Sequence, residues 1–221
     1  MIIVKFIAVV LVGYLLGSIP AGHLIGRRSV NIDITKVGSG KTGATNVLRT
    51  AGKKAGLAVA IADVGKGALA VFFAGLIFRG ENMALVNSGL LEVATTAQIL
   101  GALAAIIGHS WSVFLRFQGG RGVATFFGGL FVLYYPAALF GGLLLIIGAG
   151  LTKYMSLGSI TGSIGTFAIL VPLTIFKVTP LEYLIYSLIG AIFIIVMHRG
   201  NISRLLAGNE RKIGEKTETE R

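Results

Sequence analysis

The chain has 221 residues and a net charge of +11, yet only 13% of its residues are charged and 54% are hydrophobic. Its mean hydropathy of +0.84 excludes an ordinary soluble domain, in which about 25% of the residues are charged. The absence of cysteine excludes a disulfide framework, a thiolate nucleophile and a cysteine-based metal site. We therefore predict an all-α polytopic membrane protein, whose basic residues face anionic lipids and anionic substrates rather than nucleic acid.

Apolar runs long enough to cross a bilayer recur along the chain. The first, at 3–26, is too long for the core of a signal peptide and is interpreted as a retained span, with a kink expected at Pro20. The apolar stretch at 122–151 is interrupted at Tyr134–Tyr135–Pro136, which predicts two short helices that turn there. About seven transmembrane helices result, the other four lying at 55–78, 95–110, 157–176 and 181–197.

The distribution of basic residues predicts the orientation of these helices. The loop at 27–54 holds seven Lys or Arg residues against one acid, so we place it in the cytoplasm. With seven spans, the N-terminus is then outside and the C-terminus cytoplasmic. Residues 79–94, which include Glu81 and little positive charge, are expected outside. We predict a single membrane domain at 1–208 and a polar, disordered cytoplasmic tail at 209–221.

The first basic loop contains the sequence GSGKTGATNVLR at 38–49. Glycines let backbone N–H groups approach an anion, and hydroxyl, amide and guanidinium groups complete a phosphate cradle. The alternative is a flexible, solvated loop rich in small residues. A nucleotide-binding P-loop is excluded, because that motif requires a glycine where this chain has Thr35. The candidate binding residues are Gly38, Ser39, Gly40, Gly43, Thr45, Asn46 and Arg49.

A second glycine-rich basic loop follows the third predicted span. It reads FLRFQGGRGVAT at 114–125 and supplies Gly119, Gly120, Arg121 and Gly122. The two glycine loops fall on the same predicted cytoplasmic face. This arrangement favours one shared site over two unrelated loops.

Several polar residues within or at the ends of the spans fall on that same face. Asp63 and Lys66, spaced i,i+3, either form an ion pair that joins helices or belong to the site. A single histidine at a membrane interface is ordinarily an amphipathic anchor, but here all three lie at predicted cytoplasmic helix ends. We predict a basic, hydroxyl-rich site for a phosphorylated ligand that also meets lipid, to which these residues contribute: His23, His109, His198, Ser156 and Lys66.

Five segments in order along the chain resemble the bacterial acyl-phosphate:glycerol-3-phosphate acyltransferase family. Each segment alone is a modest match, but together they cover nearly the whole chain. They are GSIPAGHLIG at 17–26, GSGKTGATNVLRTAG at 38–52, DVGKG at 63–67, GHSWSVFLRFQGGRGVATF at 108–126 and HRGNISRLLAGNE at 198–210.

The resemblance implies a seven-span bacterial inner-membrane protein with its active site on the cytoplasmic face. It implies transfer of a fatty acyl group from acyl phosphate to the 1-hydroxyl of glycerol 3-phosphate, giving lysophosphatidic acid and phosphate. The enzyme is expected to act as a monomer among membrane lipids, without a metal or other cofactor. By motif, the implied catalytic residues are Ser39, Arg49, Arg121 and His198, with Ser156 and Asn201 as substrate-binding residues.

The residues limit the possible chemistry. Three histidines without an Asp, Glu or Cys cluster predict no zinc site, and neither a serine triad nor an HxxxxD pair is present. An acyltransferase built from this sequence would therefore work mainly by binding and positioning an activated donor. The alternative functions are a transporter or flippase for a phosphorylated solute and an inactive family member. The departures from the family pattern are Lys41 for Asn, Gln118 and Arg121 for Lys, Ser112 for Pro and Gly200 for Glu.

Overall fold

The computed structural model describes residues 2–80 and 92–215. In these ranges every named element is helical, and Ser112 and Gln118 form an isolated bridge, which confirms the all-α prediction. Glu81 lies outside the described residues. The α-helices of the described part are α1 (Ile2–Ser18), α2 (Ala21–Val30), α3 (Ala44–Ala51), α4 (Lys53–Ile77), α5 (Val93–Ser110), α6 (Val123–Thr152), α7 (Met155–Ile175), α8 (Leu181–Met197) and α9 (Arg199–Leu206).

Five helical stretches in the described part are long and apolar enough to cross a membrane. They are α4, α5, α6, α7 and the combined stretch of α1 and α2, which Pro20 interrupts as predicted. A sixth results if α8 and α9, which meet at an angle of 59°, form one broken span. Even with this sixth span the count is one lower than the seven predicted spans, because Val123–Thr152 counts as one stretch.

The α6 stretch is nevertheless broken near its middle. Tyr134 has φ −158° and ψ 90°, which is not helical. Phe127 and Gly141 are fourteen positions apart, a distance of about 21 Å along a straight helix. The Phe127 ring nevertheless lies 3.1 Å from the position that a Cβ on Gly141 would occupy. The two halves of α6 are therefore not collinear, and the chain bends sharply at the predicted interruption.

Small residues allow the helices to approach closely. A Cβ added to Gly13 or Gly17 of α1 would overlap the backbone of α5 at Gly101 or Ala105. Gly67 of α4 meets α6 in the same way. Such contacts are typical of membrane helices, which associate by close backbone packing and not by hydrophobic exclusion from water. Large apolar side chains on the outer faces are correspondingly exposed, as expected for contact with lipid tails.

A charged cluster lies in the interior of the helix bundle. Asp63 and Lys66 form the predicted i,i+3 ion pair, with 2.9 Å between Oδ1 and Nζ. Lys66 also donates to the carbonyl oxygen of Ile19, and His109 Nδ1 lies 3.4 Å from Asp63 Oδ1. The cluster thus connects α4 with α5 and with the break between α1 and α2.

Candidate active site

A cavity of about 500 Å³ lies where the first glycine loop, the second glycine loop and the α8–α9 junction meet. Six of its described lining residues are basic, and Glu210 is the one acid among them. An apolar wall is formed by Trp111, Val196 and Met197. The other lining residues are Gly38, Ser39, Lys41, Arg49, Arg121, Arg199, Gly200, Asn201, Arg204 and Arg211. This combination suits a ligand that has both anionic and apolar parts.

The first glycine loop is held in shape by Asn46, which is 3% exposed. Its amide nitrogen lies within hydrogen-bond distance of the carbonyl oxygens of Ile34, Val37 and Lys41, and its oxygen accepts from the N–H of Ser39. Asn46 therefore shapes the loop from inside the protein and does not line the cavity.

Two positive φ angles explain the glycines at the start of this loop. Gly38 and Gly40 have φ of 65° and 66°, a region that side-chain-bearing residues rarely adopt. The turn that they form presents Ser39 to the cavity. Gly43 precedes α3 with an ordinary φ, and Gly40, Gly43 and Thr45 are not among the lining residues.

The glycines of the second loop permit close packing against the end of α5. A Cβ on Gly119 would overlap the carbonyl oxygen of His109, and one on Gly120 would overlap the His109 ring. The N–H of Gly120 donates to that same carbonyl at 3.0 Å. Gly122 has φ of 82° and immediately precedes α6. These three glycines fix the loop, and Arg121 is its contribution to the cavity.

Burial perturbs the arginines of the cavity. It lowers the pKa of Arg121 to about 10, and Arg204 and Arg49 add to this effect while Glu210 opposes it. The side chain still carries its charge at neutral pH. Burial likewise lowers the pKa of Arg49, assisted by Arg211. Arg49 Nη2 donates to the carbonyl oxygens of Arg211 and Lys212, while its buried Nε has no hydrogen-bond partner within 2–80 and 92–215.

The bend between α8 and α9 occurs at His198, which is 2% exposed. Its Nδ1 lies 2.7 Å from the carbonyl oxygen of Ile194. Because a carbonyl can only accept, Nδ1 carries the proton and Nε2 is the unprotonated nitrogen of the neutral ring. His198 is not itself a lining residue, but Met197 and Arg199 on either side of it are.

Glu210 closes the cavity on the side of the C-terminal segment. Its Oε1 accepts from Ser156 Oγ at 3.0 Å and from Asn201 Nδ2 at 2.6 Å, and its Oε2 accepts from Arg204 Nε at 2.8 Å. Burial alone would raise the pKa of this carboxyl, but the three donors together hold it below its usual value. Glu210 belongs to the segment predicted as a disordered tail, so packing on the protein extends past residue 208.

Comparison with known proteins places these features in a family. The family model described as Glycerol-3-phosphate acyltransferase matches residues 7–208. The chain belongs to the glycerol-3-phosphate acyltransferase family. Glycerol-3-phosphate acyltransferase 3 of Dehalococcoides mccartyi (strain CBDB1) is 57% identical over 216 residues, which cover 98% of this chain and 99% of that protein. Glycerol-3-phosphate acyltransferase of Rippkaea orientalis (strain PCC 8801 / RF-1) is 44% identical, covering 94% of this chain and 92% of that protein.

Solved structures of a glycerol-3-phosphate acyltransferase have the same fold. The glycerol 3-phosphate form of PlsY, an integral membrane glycerol 3-phosphate acyltransferase, is 35% identical with a TM-score of 0.80. It covers 95% of this chain and 96% of its own length. Its lysophosphatidic acid form is 34% identical with a TM-score of 0.76 and the same coverage. The predicted resemblance is confirmed, and this family member is a multi-pass membrane protein.

The structure of this glycerol-3-phosphate acyltransferase family member brings only some of the predicted site residues to the cavity. Gly38, Ser39, Arg49, Arg121 and Asn201 line it. Lys66 and His109 lie instead in the interior cluster with Asp63. His23 lies 3.3 Å from Asp33 through its Nδ1, away from the lining set. The remaining predicted residues lie behind the lining or shape the loops, namely Gly40, Gly43, Thr45, Asn46, Gly119, Gly120, Gly122, Ser156 and His198.

Sequence reasoning missed Arg204 and Glu210, although both fall in the segment that carries the family resemblance. Arg204 follows Asn201 by three residues in α9, so both side chains project from the same helix face. That spacing could have indicated Arg204. Nothing local indicates that Glu210, beyond the helix end, returns to meet Ser156 of α7.

Proposed function

We propose that this chain transfers a fatty acyl group from acyl phosphate to the 1-hydroxyl of glycerol 3-phosphate, forming lysophosphatidic acid and phosphate. The observation that supports this most directly is the cavity itself. It combines Arg49, Arg121 and Lys41 with the apolar wall of Trp111 and Met197. Both substrates bear phosphate groups and the donor also bears a long chain, so the two chemistries of the cavity match the two parts of the donor.

Acyl phosphate is already activated, so the reaction needs no acyl-enzyme. The acceptor hydroxyl oxygen attacks the carbonyl carbon, the bond between that carbon and the phosphate oxygen breaks, and phosphate leaves with the electron pair. The hydroxyl proton ends on the released phosphate, which leaves as hydrogen phosphate, so atoms and charge balance. Arg49 and Arg121 stabilise the charge that develops on the leaving phosphate, and holding both substrates in one cavity supplies the proximity.

Ser39 stays among the proposed catalytic residues and Asn201 is assigned to substrate binding, and both line the cavity. His198 is assigned a catalytic role through its neutral ring, in which Nδ1 is bonded to the carbonyl of Ile194 and Nε2 carries no proton. Its neighbours in the chain, Met197 and Arg199, line the cavity. No step requires a cofactor.

The proposed topology has seven spans in a bacterial inner membrane, with the N-terminus outside and the active site on the cytoplasmic face. The break at Tyr134 supports the seventh span, since it divides Val123–Thr152 into two segments. The concentration of basic residues in the loops around the cavity supports the cytoplasmic assignment. We place the single domain at 1–208 and the cytoplasmic tail at 209–221, with the first residues of the tail packed on the domain through Glu210. We also propose that one copy of the chain is sufficient for activity.

The test is the release of inorganic phosphate and formation of lysophosphatidic acid by the purified protein. Both products are expected from acyl phosphate only when glycerol 3-phosphate is present. Activity with acyl-CoA but not with acyl phosphate would refute the donor assignment. Sealed vesicles test the transporter alternative, since uptake of a phosphorylated solute without an acylated product would overturn the proposed reaction.

A further inference from the structure

Glu210 is the one acid among the described lining residues of the cavity, six of which are basic. It is 8% exposed, and its carboxylate accepts hydrogen bonds from side chains of two helices. Ser156 belongs to the first turn of α7, whereas Asn201 and Arg204 lie on one face of α9. The carboxylate therefore connects α7 to the helix that lines the cavity. Removing it would leave three donors without this acceptor.

We propose that Glu210 is a positioning residue that holds Asn201 and Arg204 in place for the phosphate group of the substrate. This inference rests on the proposed function, because it takes glycerol 3-phosphate as the ligand. Glu210 binds only Nε of the Arg204 guanidinium, so the two terminal nitrogens keep their own donors. It likewise takes one bond from the Asn201 amide, which has two hydrogens. Both residues are thus oriented by Glu210 and still able to donate to a ligand.

Ser156 supports Glu210, because it is the donor in the hydrogen bond between them. A hydroxyl has one proton, and Ser156 donates it to Glu210. Ser156 therefore cannot donate to a phosphate oxygen while this bond stands. It lies outside the lining set, as expected for a residue that supports Glu210 from behind. The layer that faces the ligand is then Asn201 and Arg204, with Glu210 and Ser156 behind it.

The C-terminal segment is attached at a second point that supports the same arrangement. Arg49 donates through Nη2 to the carbonyl oxygens of Arg211 and Lys212, the two residues after Glu210. The segment thus bridges Arg49, beside the first glycine loop, and α9. Substitution of Glu210 is expected to affect the lining of both sides of the cavity.

The experiment compares Glu210→Ala, Glu210→Gln, Arg204→Gln and the Arg204→Gln/Glu210→Gln double variant in the full-length, reconstituted protein. Binding of glycerol 3-phosphate is measured by calorimetry, together with KM, kcat and the melting temperature. We expect Glu210→Ala to weaken binding about tenfold, an effect typical of losing bonds to a charged group. KM should rise more than kcat falls. Glu210→Gln keeps one acceptor oxygen and should weaken binding less than Glu210→Ala. When Arg204 is already replaced by Gln, adding Glu210→Gln should change binding little further.

Glu215→Gln is the matched control. Glu215 lies in the same segment and is exposed, and its carboxylate accepts the backbone N–H of Lys212. Its binding and kinetic constants should change less than those of Glu210→Gln, because the exposed carboxylate of Glu215 affects Arg49 only through its charge.

Three outcomes would overturn the assignment of Glu210. Tighter binding in Glu210→Gln would mean that the carboxylate competes with the substrate phosphate. A lower melting temperature with unchanged binding would mean that Glu210 only stabilises the fold. Additive effects in the double variant would mean that it does not act through Arg204. Binding is measured without the acyl donor, so the binding comparison decides the role of Glu210 whatever the donor is. A wild-type protein that is inactive with acyl phosphate would refute the donor assignment alone.

Discussion

Asn46→Asp exchanges an amide nitrogen for an oxygen and leaves the shape of the side chain nearly unchanged. In the structure that nitrogen lies between the carbonyl oxygens of Ile34, Val37 and Lys41, at 3.2, 3.0 and 3.0 Å. An aspartate can keep the bond from the Ser39 N–H but has no proton for the three carbonyls. The substitution therefore replaces three attractive contacts with three repulsive ones at a site that is 3% exposed.

The expected cost follows from these contacts. The amide nitrogen has two hydrogens to share among the three carbonyls, so two hydrogen bonds of about 1 kcal/mol each are lost, which amounts to about 2 kcal/mol before any cost of burying the new charge. That corresponds to a factor of about 30 in the equilibrium between the folded loop and its alternatives. Because Asn46 holds the turn that presents Ser39, we expect weaker binding of glycerol 3-phosphate as well as a lower melting temperature.

The assay is calorimetric binding of glycerol 3-phosphate and thermal unfolding of the reconstituted protein. Asn31→Asp is the control, since it makes the same chemical change at an exposed residue in a left-handed conformation that aspartate tolerates. It should leave both measurements unchanged. Wild-type binding and melting in Asn46→Asp would refute the assignment of Asn46 as the residue that shapes the first loop.

Four further predictions follow from the site. Arg49→Ala should abolish most lysophosphatidic acid formation. Arg49→Lys should reduce it about tenfold, because one ammonium cannot replace a guanidinium that binds the carbonyls of Arg211 and Lys212 through Nη2 and keeps Nε and Nη1 for a phosphate, whereas Arg121→Lys should be mild. Wild-type rates for Arg49→Ala would exclude a role in phosphate binding. Gly120→Ala should impair activity, because the added Cβ would overlap the buried His109 ring. Gly142→Ala is the control, since a Cβ there meets nothing within 4 Å, and equal activities of the two variants would contradict the role of Gly120 in packing against His109. Glycerol 3-phosphate binding should weaken as the pH rises through about 10, because Arg121 then loses its proton. The Lys41→Gln variant should show the same pH transition, and binding that is constant to pH 11 would count against the role of Arg121. The sequence has no cysteine, so single cysteines can be introduced and labelled with a thiol reagent that does not cross the membrane. Ser29→Cys should be labelled from the cytoplasmic side and Lys177→Cys from the outside, and the opposite pattern would reverse the proposed orientation.

The sequence predicted those parts of the molecule that depend on local patterns. Apolar runs located the helices, Pro20 located a break, and the i,i+3 spacing of Asp63 and Lys66 predicted their ion pair. Glycine spacing indicated both loops. These features depend on neighbours within a few residues, which a single sequence displays directly.

The parts that could not be predicted depend on contacts between distant segments. His109 pairs with Asp63 across two helices, and its position at a helix end does not show that it lies in this interior cluster instead of the cavity lining. Asn46 looked like a ligand-binding residue because amides bind phosphates, yet its carbonyl partners exist only once the loop is folded. Glu210 meets Ser156 from 54 residues away, and no spacing rule links a helix start to a segment beyond the last helix.

Val196 lines the cavity and is also 53% exposed, on the side of α8 where Ile192 is exposed as well. The apolar wall is therefore continuous with the outer surface that contacts lipid. A reactant with a long chain can then approach sideways from within the bilayer, and its two-dimensional density determines how often the cavity is filled. Diluting the membrane with inert lipid at a fixed total amount of acyl donor should slow turnover, whereas adding buffer at a fixed donor-to-lipid ratio should not. Surface dilution of this kind would make the lipid composition of the cell itself a determinant of the rate.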